Sequence, residues 1–596
     1  MIEIPATAPI PSAPDVVGDF LFGFGREAAD WVTRRAEPAQ RCIGGGDFAL
    51  LASGAVAIDE TPSRLRFGLR DLVRGNPQQT DTADWRGRFV QVDVDCDDRR
   101  VRASVDHFAT VPLYWLAHRD ELLLATDLRL LLDAPWCRRE PDPAAIYHLL
   151  NFGFIPAPLC FVAGIQRLLP ASRLDFRSGE LRLERYWRPS YPEDLGGDTA
   201  ERAGELRQRI VDTVQRYRPD GDAGWGCFLS GGTDSSSITT ILARQHADRR
   251  VRSFSIGFAE SGYDELDYAR LAASACGAEA HTRNVSRADT LALLPTLIEL
   301  CDQPFGNAST IPTHACAVLA RDAGVSILVA GDGGDEIFGG NERYAKDRVL
   351  GRYHGLPAPL KHIGNALGAL AGRSRNHFLQ RIANFTERGS LPNPDRFYTD
   401  EAFASDYFNE LLEPRLAAHL TPGLSLDFLR DTYAQCDAGA ELHRLMCLDL
   451  DMAIAQCDLV KVHRASRIAG VSVRFPYLDP DLVDYTGRLP AEAKVRGLDK
   501  RHLFKRALAD VLPPAILTKK KQGFGLPIAV WLARDPEFRE IAHDAVLGSR
   551  ARARGWFRAD CVAGLLAQHE AGSWDWSAEI WRLITLELWM RRYLDR

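Results

Sequence analysis

The sequence predicts two domains: an α+β N-terminal domain of antiparallel strands over residues 1–195, and an α/β C-terminal domain with a parallel sheet and a helical C-terminal part over residues 196–596. The length of 596 residues is several times the roughly 150 residues of an average domain. Short β-rich runs fill residues 40–190, whereas strands and helices alternate after residue 200. The boundary is placed in PSYPEDLGGDT, because Pro, Gly and Asp interrupt regular structure.

The N-terminal half carries short apolar or alternating runs that are typical of strands. A helix is predicted to begin at Asp142, since an aspartate before Pro143 suits a helix start. The predicted strands lie in DFALLASGAVAI (47–58), GRFVQVDVD (87–95), VRASVD (101–106), ELLLATD (121–127), GIQRLLPASRLDF (164–176) and LRLERYWRP (181–189).

The C-terminal half begins with a helix over 200–218, after which short apolar strands are separated by helical stretches. That alternation indicates βαβ units and therefore a parallel sheet. From residue 376 onward helical patterns dominate. The predicted strands are GWGCFLS (224–230), VRSFSIGF (251–258), EAHTRNV (279–285) and VSILVAG (325–331).

Charge and hydropathy exclude several function classes. The chain has 73 Lys+Arg and 80 Asp+Glu, a net charge of −7, so nothing favours binding to nucleic acid or to anionic lipid. No apolar run approaches the roughly 18 residues of a membrane helix. The first basic residue is Arg26, which is the wrong charge order for a secretory signal. The twelve cysteines are scattered without metal-binding spacing, which favours a reduced, cytoplasmic compartment.

The most informative stretch is WGCFLSGGTDSSSITT, residues 225–240. A buried strand runs into a glycine turn and a helix follows at once. Glycines allow close approach of an anion, and free N–H groups at the helix start donate to phosphate oxygens together with serine hydroxyls. The predicted phosphate-binding residues are Ser230, Gly231, Gly232, Asp234, Ser235 and Ser236. The loop contains no lysine, and Asp234 is expected to hold Mg²⁺.

SGGTDSS resembles the pyrophosphate loop of ATP pyrophosphatases, which cleave ATP to AMP and pyrophosphate while adenylating a substrate. The C-terminal half is similar to one branch of these, the asparagine synthetases. The resemblance therefore implies ATP and Mg²⁺ as cofactors. The matching segments keep the family's order: FSIGF (254–258), YDELDYAR (263–270), DQPFGNASTIPTH (302–314), LVAGDGGDEIFGG (328–340), LVKVHRAS (459–466), VRFPYLD (473–479) and KKKQGFGLP (519–527).

Within LVAGDGGDEIFGG, the resemblance makes Asp335 the second Mg²⁺ carboxylate beside Asp234. It places Asp332 where asparagine synthetases carry an acidic residue near the attacking amine, and where their β-lactam-forming relatives carry a tyrosine. An acidic surface turn is the alternative interpretation. By the same resemblance, the nucleotide pocket would be lined by Ile256, Gly257 and Gly331.

In KKKQGFG, the resemblance implies that Lys521 contacts the phosphates and neutralises charge in the transition state, with Lys519 and Lys520 on the surface. Arg474 and Lys461 are weaker candidates, for which packing or ion-pair roles are equally favoured. Two positions depart from the family: His463 stands where an aspartate is usual, and Asn307 where an acidic residue is common. Both departures indicate either a structural role or a changed substrate.

The N-terminal half resembles the glutamine amidohydrolase domain of the same family, which implies an Ntn-hydrolase-like antiparallel sandwich. DHFATVPLYW (106–115) is similar to the family's D-R-F-G-x-x-P-L-Y-Y segment. The family's nucleophile is a cysteine exposed by removal of Met1, and here Ile2 stands in its place. Cys42 cannot use its own α-amine. The sequence therefore predicts a retained scaffold without glutaminase activity.

Three functions remain open. The first is an ATP-dependent amide ligase that adenylates a small-molecule or peptide carboxylate and couples it to an amine, as lasso peptide cyclases and other specialised ligases do; Asp332 argues against the β-lactam class. The second is an asparagine synthetase that uses ammonia. The third is a non-catalytic ATP-binding protein, against which intact Asp234, Asp335 and Lys521 count. A homodimer, a partner enzyme and a precursor peptide are also left open.

Overall fold

The structure is a computed structural model that describes residues 18–595 except 39, 80, 221–223, 247–249, 261–265, 373–376 and 520–524. It confirms the predicted fold class: antiparallel sheets in the N-terminal half, and a parallel sheet followed by helices in the C-terminal half. Ile2 and Lys521 lie outside the described residues.

The N-terminal region is a sandwich of two six-stranded sheets, and every pairing within them is antiparallel. The elements are β1 (Asp19–Phe24), α1 (Arg26–Thr33), β2 (Arg41–Gly45), β3 (Phe48–Ser53), β4 (Ala57–Thr61), β5 (Arg64–Arg74), β6 (Arg86–Asp95), β7 (Arg100–Val105), β8 (Tyr114–His118), β9 (Glu121–Ala125), α2 (Pro143–Phe152), β10 (Gln166–Arg167), β11 (Ser172–Arg177) and β12 (Glu180–Arg185). The sheet orders are β10-β8-β9-β1-β3-β2 and β12-β11-β7-β6-β5-β4.

Alternation along the strands builds the sandwich core, since every second side chain of a strand faces the same side. Phe20 and Phe22 of β1 meet Phe67 of β5, with Phe20 and Phe67 edge to face at 5.0 Å between centroids. The helix predicted at Asp142 is α2, and the Asp142 carboxylate accepts from the N–H of Ala144 at 2.8 Å.

The parallel sheet of the C-terminal region has five strands in the order β15-β14-β13-β16-β17. Its elements and those around it are α3 (Thr199–Arg216), β13 (Trp225–Phe228), α4 (Thr233–Gln245), β14 (Arg252–Gly257), α5 (Leu266–Cys276), β15 (Glu279–Asn284), α6 (Arg287–Leu300), α7 (Thr310–Asp322), β16 (Ile327–Val329), α8 (Gly334–Phe338) and, later in the chain, β17 (Ser472–Arg474).

The described part of the remainder is mainly helical, with β17 and one short hairpin, and no described helix is long and apolar enough to cross a membrane. The helices before β17 are α9 (Glu342–His354), α10 (Ala358–Gly372), α11 (His377–Ser390), α12 (Asp395–Tyr398), α13 (Phe403–Asp406), α14 (Phe408–Leu411), α15 (Pro414–Ala417), α16 (Leu424–Ala434), α17 (Glu441–Asp449) and, after a π-helical stretch Leu450–Asp458, α18 (Leu459–Ile468). Those after β17 are α19 (Pro480–Arg488), α20 (Ala491–Lys494), the hairpin β18 (Val495–Arg496) with β19 (Asp499–Lys500), α21 (His502–Ala507), α22 (Pro514–Leu517), α23 (Ile528–Arg534), α24 (Pro536–Leu547), α25 (Ser549–Arg554), α26 (Ala559–Glu570) and α27 (Ser577–Tyr593).

The two regions share a continuous hydrophobic core that runs from α1 and α2 to α27. Buried polar contacts add to it. Arg88 of β6 donates to Ser472 Oγ at 2.7 Å and to the Val473 carbonyl at 3.0 Å, and Arg474 pairs with Asp71 at 2.7 Å. The N-terminal region is therefore packed against β17, the edge strand of the parallel sheet.

Candidate functional site

The ends of three adjacent parallel strands meet at one cavity of about 680 Å³. Strand β13 leads into the predicted phosphate loop, β14 carries Ile256, and β16 leads into the acidic glycine turn. Because the carboxyl ends of parallel strands share one edge of a sheet, segments distant in sequence converge there. Of the predicted site residues, those lining the cavity are Ser230, Gly232, Asp234, Ser235, Ile256, Gly331, Asp332 and Asp335.

The phosphate loop turns tightly and is internally hydrogen-bonded. Ser235 Oγ accepts from the Ser230 N–H at 3.2 Å, and Ser230 Oγ accepts from the Gly232 N–H at 3.3 Å. Gly231 has φ +71°, in the left-handed region that favours glycine. Helix α4 starts directly after Gly232 with no side-chain cap, so the N–H groups of its first turn face the loop without a capping oxygen. This arrangement suits an anion.

The two glycine turns are in direct contact. A Cβ on Gly331 would lie 2.8 Å from the Ser235 nitrogen, and one on Gly334 would overlap Asp234 Oδ1. Only glycine permits this approach, which brings Asp335 of the second turn beside Asp234 of the first. The acidic turn is therefore part of the cavity and not an isolated surface turn.

Arg501, which the sequence analysis did not single out, joins the two carboxylates. Its guanidinium makes ion pairs with Asp234 and Asp335 and also contacts Thr233 Oγ1. Burial lowers the pKa of Arg501, but the two carboxylates outweigh it and the net pKa is raised. Carboxylate oxygens that converge on one cation are also the kind of hard donor that Mg²⁺ takes.

Arg501 joins only two of the carboxylates that line the cavity. In the part of the chain that the structure describes, no group of three or more His, Cys, Asp and Glu side chains is arranged to hold a metal ion. Asp234 and Asp335 would therefore bind Mg²⁺ only together with oxygens from elsewhere, as is usual for Mg²⁺ at nucleotide phosphates.

A second charged group lies beside the acidic turn. Lys461 of α18 lines the cavity, and its Nζ donates to Asp458 at 2.6 Å. Burial lowers the pKa of Lys461, but Asp458 and Asp332 outweigh it and the net pKa is raised. Burial raises the pKa of Asp332 to about 6, while Lys461 opposes that shift. The structure thus places Lys461, a weaker candidate from the sequence, in the cavity next to Asp332.

The raised pKa of Asp332 gives a testable pH dependence. A carboxylate can accept a proton from a substrate only when it is ionised. Because burial favours the protonated form, Asp332 becomes a base as the pH rises through about 6. We expect the rate of a reaction that delivers a proton to Asp332 to rise over that range in the unmodified protein, and the rise to disappear in Asp332→Asn.

The matched control for this profile is Glu342→Gln, which removes another carboxylate that lines the same cavity. Rates measured from pH 5 to 8 for the three proteins would decide the assignment. A rise through pH 6 that persists in Asp332→Asn would contradict it.

Other predicted residues lie elsewhere. Ser236 is buried and does not line the cavity; Gly231 and Gly257 do not line it either, and the Gly257 carbonyl accepts from Val285 at 2.9 Å. Lys519, which was predicted to lie on the surface, is half-buried at the cavity, with Nζ 4.5 Å from the centroid of the Tyr268 ring. Lys520 and Lys521 fall outside the described residues.

The two departures from the family pattern, His463 and Asn307, and the weaker candidate Arg474 all make structural contacts away from the cavity. His463 is buried, and its Nδ1 accepts from Arg88 at 3.3 Å across the contact between the two regions. Asn307 closes a local turn by accepting from the Ser309 N–H at 3.0 Å. Arg474 is held by Asp71 and by the carbonyls of residues 217 and 218. None of the three lines the cavity.

Comparisons with known proteins cover both regions of the chain. Residues 205–591 match the family model described as asparagine synthase, and residues 79–187 match the one described as a glutamine amidotransferase domain. Asparagine synthetase [glutamine-hydrolyzing] 1 of Bacillus subtilis is 26% identical over 506 residues, which cover 85% of this chain and 77% of the relative.

Two further relatives span most of the chain. A putative asparagine synthetase [glutamine-hydrolyzing] of Mycobacterium tuberculosis is 29% identical over 520 residues, covering 86% of this chain and 77% of the relative. Amidase chry2 of Gibberella zeae is 21% identical over 488 residues, covering 75% of this chain and 70% of the relative. The span that matches the asparagine synthase model, residues 205–591, includes the phosphate loop, the acidic turn and the segment that carries Arg501.

Proposed function

Since this chain belongs to the asparagine synthase family of ATP-dependent C–N ligases, we propose that it adenylates a carboxylate substrate and couples it to an amine other than ammonia derived from glutamine. In the first step a substrate carboxylate oxygen attacks the α-phosphorus of ATP, and pyrophosphate leaves. In the second step the amine attacks the acyl carbon and AMP leaves. The reaction forms one amide bond and releases AMP and pyrophosphate.

The observation that carries this proposal is the convergence on one cavity of an anion-binding loop, two carboxylates and an acid–lysine pair. Ser230, Ser235 and the N–H groups at the start of α4 would hold the phosphates. Asp234 and Asp335 would bind Mg²⁺, which supplies charge neutralisation for the leaving pyrophosphate. Ile256 lies on the wall where the nucleotide base would pack. Lys521 is proposed to contact the phosphates on the strength of the family resemblance alone.

On the acceptor side, Asp332 would take the proton from the attacking amine. Lys461 is ion-paired with Asp458 and close enough to Asp332 to perturb its pKa. The lysine would keep part of the Asp332 population ionised, and it would hold a second carboxylate near the amine. Orientation of the amine against the activated carbonyl is then the main contribution of this wall of the cavity.

Pyrophosphate release in the presence of ATP, Mg²⁺ and a panel of acids and amines tests the proposal. The panel should contain amino acids and linear peptides with a free N-terminus, so that a small-molecule ligase and a macrolactam cyclase give different products by mass spectrometry. We expect pyrophosphate to appear only with the correct carboxylate. ATP–pyrophosphate exchange with none of the panel, together with failure to bind ATP, would contradict the proposal.

Asparagine formation is the second candidate, because two of the curated relatives above are named asparagine synthetases. Aspartate, ATP and ammonium would then give asparagine, AMP and pyrophosphate. An amide product with another acid, and no asparagine, would separate the first candidate from this one.

We also propose that the N-terminal region does not hydrolyse glutamine. A nucleophilic cysteine needs a depressed pKa. Burial instead raises the pKa of the thiols of Cys96, Cys137 and Cys160. Cys42 is exposed on β2, an edge strand of its sheet. All twelve cysteines are free thiols, which also supports a reducing compartment.

We expect the purified chain to release no ammonia from glutamine above a heat-denatured control. Because Cys42 is exposed on β2 and does not line the cavity, Cys42→Ser should leave amide formation within about twofold. Release of ammonia that is lost on treatment with a glutamine-analogue alkylator would overturn the proposal, and peptide mapping would then identify the cysteine responsible.

A further inference from the structure

Arg501 occupies the place between the two carboxylates where the proposed function puts a metal ion. One guanidinium nitrogen, Nη2, donates to Asp234 Oδ2 at 2.5 Å and also to Asp335 Oδ1, while Nη1 donates to Asp234 Oδ1. The three side chains are well buried, with 10% of Arg501, 18% of Asp234 and 15% of Asp335 exposed. A charge-assisted, bidentate contact of this kind is among the strongest hydrogen-bonding arrangements in proteins.

The backbone around Arg501 is shaped to hold it there. Arg501 follows the hairpin β18–β19 directly, with φ +54° and ψ +36°, a conformation that costs energy for a residue other than glycine. Its N–H donates to the Gly339 carbonyl at 3.2 Å. A Cβ on Gly340 would overlap Asp335 Oδ1 and Arg501 Nε, so the absence of a side chain at Gly340 makes room for the ion pair.

Cations compete for such a pair of carboxylates. A divalent ion that arrives alone must displace a guanidinium that is tethered, already desolvated and bound to both acids. The incoming ion would also leave the positively charged guanidinium without its carboxylates in a cavity that two other cations, Lys461 and Lys505, line. A nucleotide with its metal changes the balance, since the phosphates bring several negative charges that can pair with the displaced guanidinium. Metal binding is then coupled to nucleotide binding through one side chain.

We propose that Arg501 is a resident counter-cation, which holds Asp234 and Asp335 in the nucleotide-free protein and prevents a divalent ion from binding there before the nucleotide. The inference rests on the proposed function, because it takes those two carboxylates as the metal site. Arg501 is a positioning residue in this role. It sets the order in which the metal and the nucleotide enter.

Binding of Mn²⁺ to the nucleotide-free protein tests the inference, measured as loss of the free-ion electron paramagnetic resonance signal. We expect weak binding to the unmodified protein and at least tenfold tighter binding to Arg501→Gln. Lys505→Gln is the matched control, because it removes a positive charge from the same cavity at a side chain paired with Asp499. It should bind Mn²⁺ within about twofold of the unmodified protein.

Arg501→Lys is the second variant, in case the glutamine variant folds poorly. A lysine keeps the charge but cannot bridge two carboxylates with a planar fork. The Mn²⁺ affinity of Arg501→Lys should therefore lie between that of the unmodified protein and that of Arg501→Gln. Thermal unfolding adds a second measurement: Mn²⁺ should raise the melting temperature of Arg501→Gln without nucleotide, and not that of the unmodified protein. Equal Mn²⁺ binding by all variants would overturn the inference.

The two proposals can fail separately. ATP–pyrophosphate exchange by the unmodified protein tests the proposed function and does not depend on the order of binding. If the unmodified protein exchanges pyrophosphate into ATP and the Arg501 variants bind Mn²⁺ as it does, the counter-cation role of Arg501 is rejected and the proposed function stands. Nucleotide-free Mn²⁺ binding that depends on Arg501, in a protein that shows no exchange, would reject the proposed function alone.

Discussion

Asp234→Asn is expected to lower ATP–pyrophosphate exchange by about a thousandfold or more, since loss of a metal contact at a leaving phosphate removes several kcal/mol of transition-state stabilisation. The asparagine keeps the size of the side chain and removes one of the two carboxylates that Arg501 joins. The measurement is exchange of labelled pyrophosphate into ATP with a substrate acid at saturation.

The matched control is Asp267→Asn, which removes a carboxylate from α5 near the phosphate loop. The Asp267 side chain is 94% exposed and makes a surface ion pair with Arg270 at 3.1 Å. Such pairs contribute little, and exchange should stay within about twofold. Exchange by Asp234→Asn within tenfold of the unmodified protein would remove Asp234 from the proposed metal site.

Arg464→Met is expected to lower the free energy of unfolding by about 3–5 kcal/mol, the usual cost of leaving a buried charge without its partner. Arg464 of α18 is 2% exposed and pairs with Asp302, which is equally buried. Its Nη1 also lies 3.9 Å from Asp127 of the N-terminal region. The substitution would therefore weaken the contact between the two regions, as measured by denaturant unfolding and by protease susceptibility.

A double variant distinguishes lost charge compensation from lost packing. Asp302→Asn combined with Arg464→Met should be more stable than Arg464→Met alone, because the uncompensated carboxylate is gone. Arg321→Met, which breaks an exposed pair with Asp322, should change the free energy of unfolding by less than about 1 kcal/mol. If Arg464→Met also changed the free energy of unfolding by less than about 1 kcal/mol, the buried pair would contribute no net stability.

Local sequence predicts the parts of the site that are contiguous in the chain. The phosphate loop lies on one strand–turn–helix unit, and the acidic turn follows one strand, so their residue types and spacing suffice. The antiparallel and parallel halves were likewise predictable, because strand and helix periodicities differ. The strand β17 was not predicted, because its three residues include Ser472 and Arg474 and form no apolar run, whereas the equally short β16 lies within the apolar run ILVA.

Arg501 could not be predicted because its role depends on tertiary contact. It lies 267 positions from Asp234 and reaches it only through the hairpin β18–β19, whose strands have two residues each. Nothing in DKRHLFKR distinguishes it from its basic neighbours. For Lys461, the segment LVKVHRAS could be matched to the family from the sequence. Only the packing of α18 shows which side of that helix faces the cavity.

The packing of α27 against the N-terminal region bears on how the chain folds during synthesis. Arg582 donates to the Leu150 carbonyl at 2.7 Å, Trp589 lies edge to face with Phe161 at 5.1 Å, and the Tyr593 hydroxyl accepts from Arg129 at 3.0 Å. These contacts join residues more than 400 positions apart. Although N-terminal domains generally fold first on the ribosome, this one cannot cover its inner face until α27 has left the exit tunnel. A nascent chain therefore carries an incomplete first domain through most of translation, and chaperones that protect exposed apolar surface should be found on it until late in its synthesis.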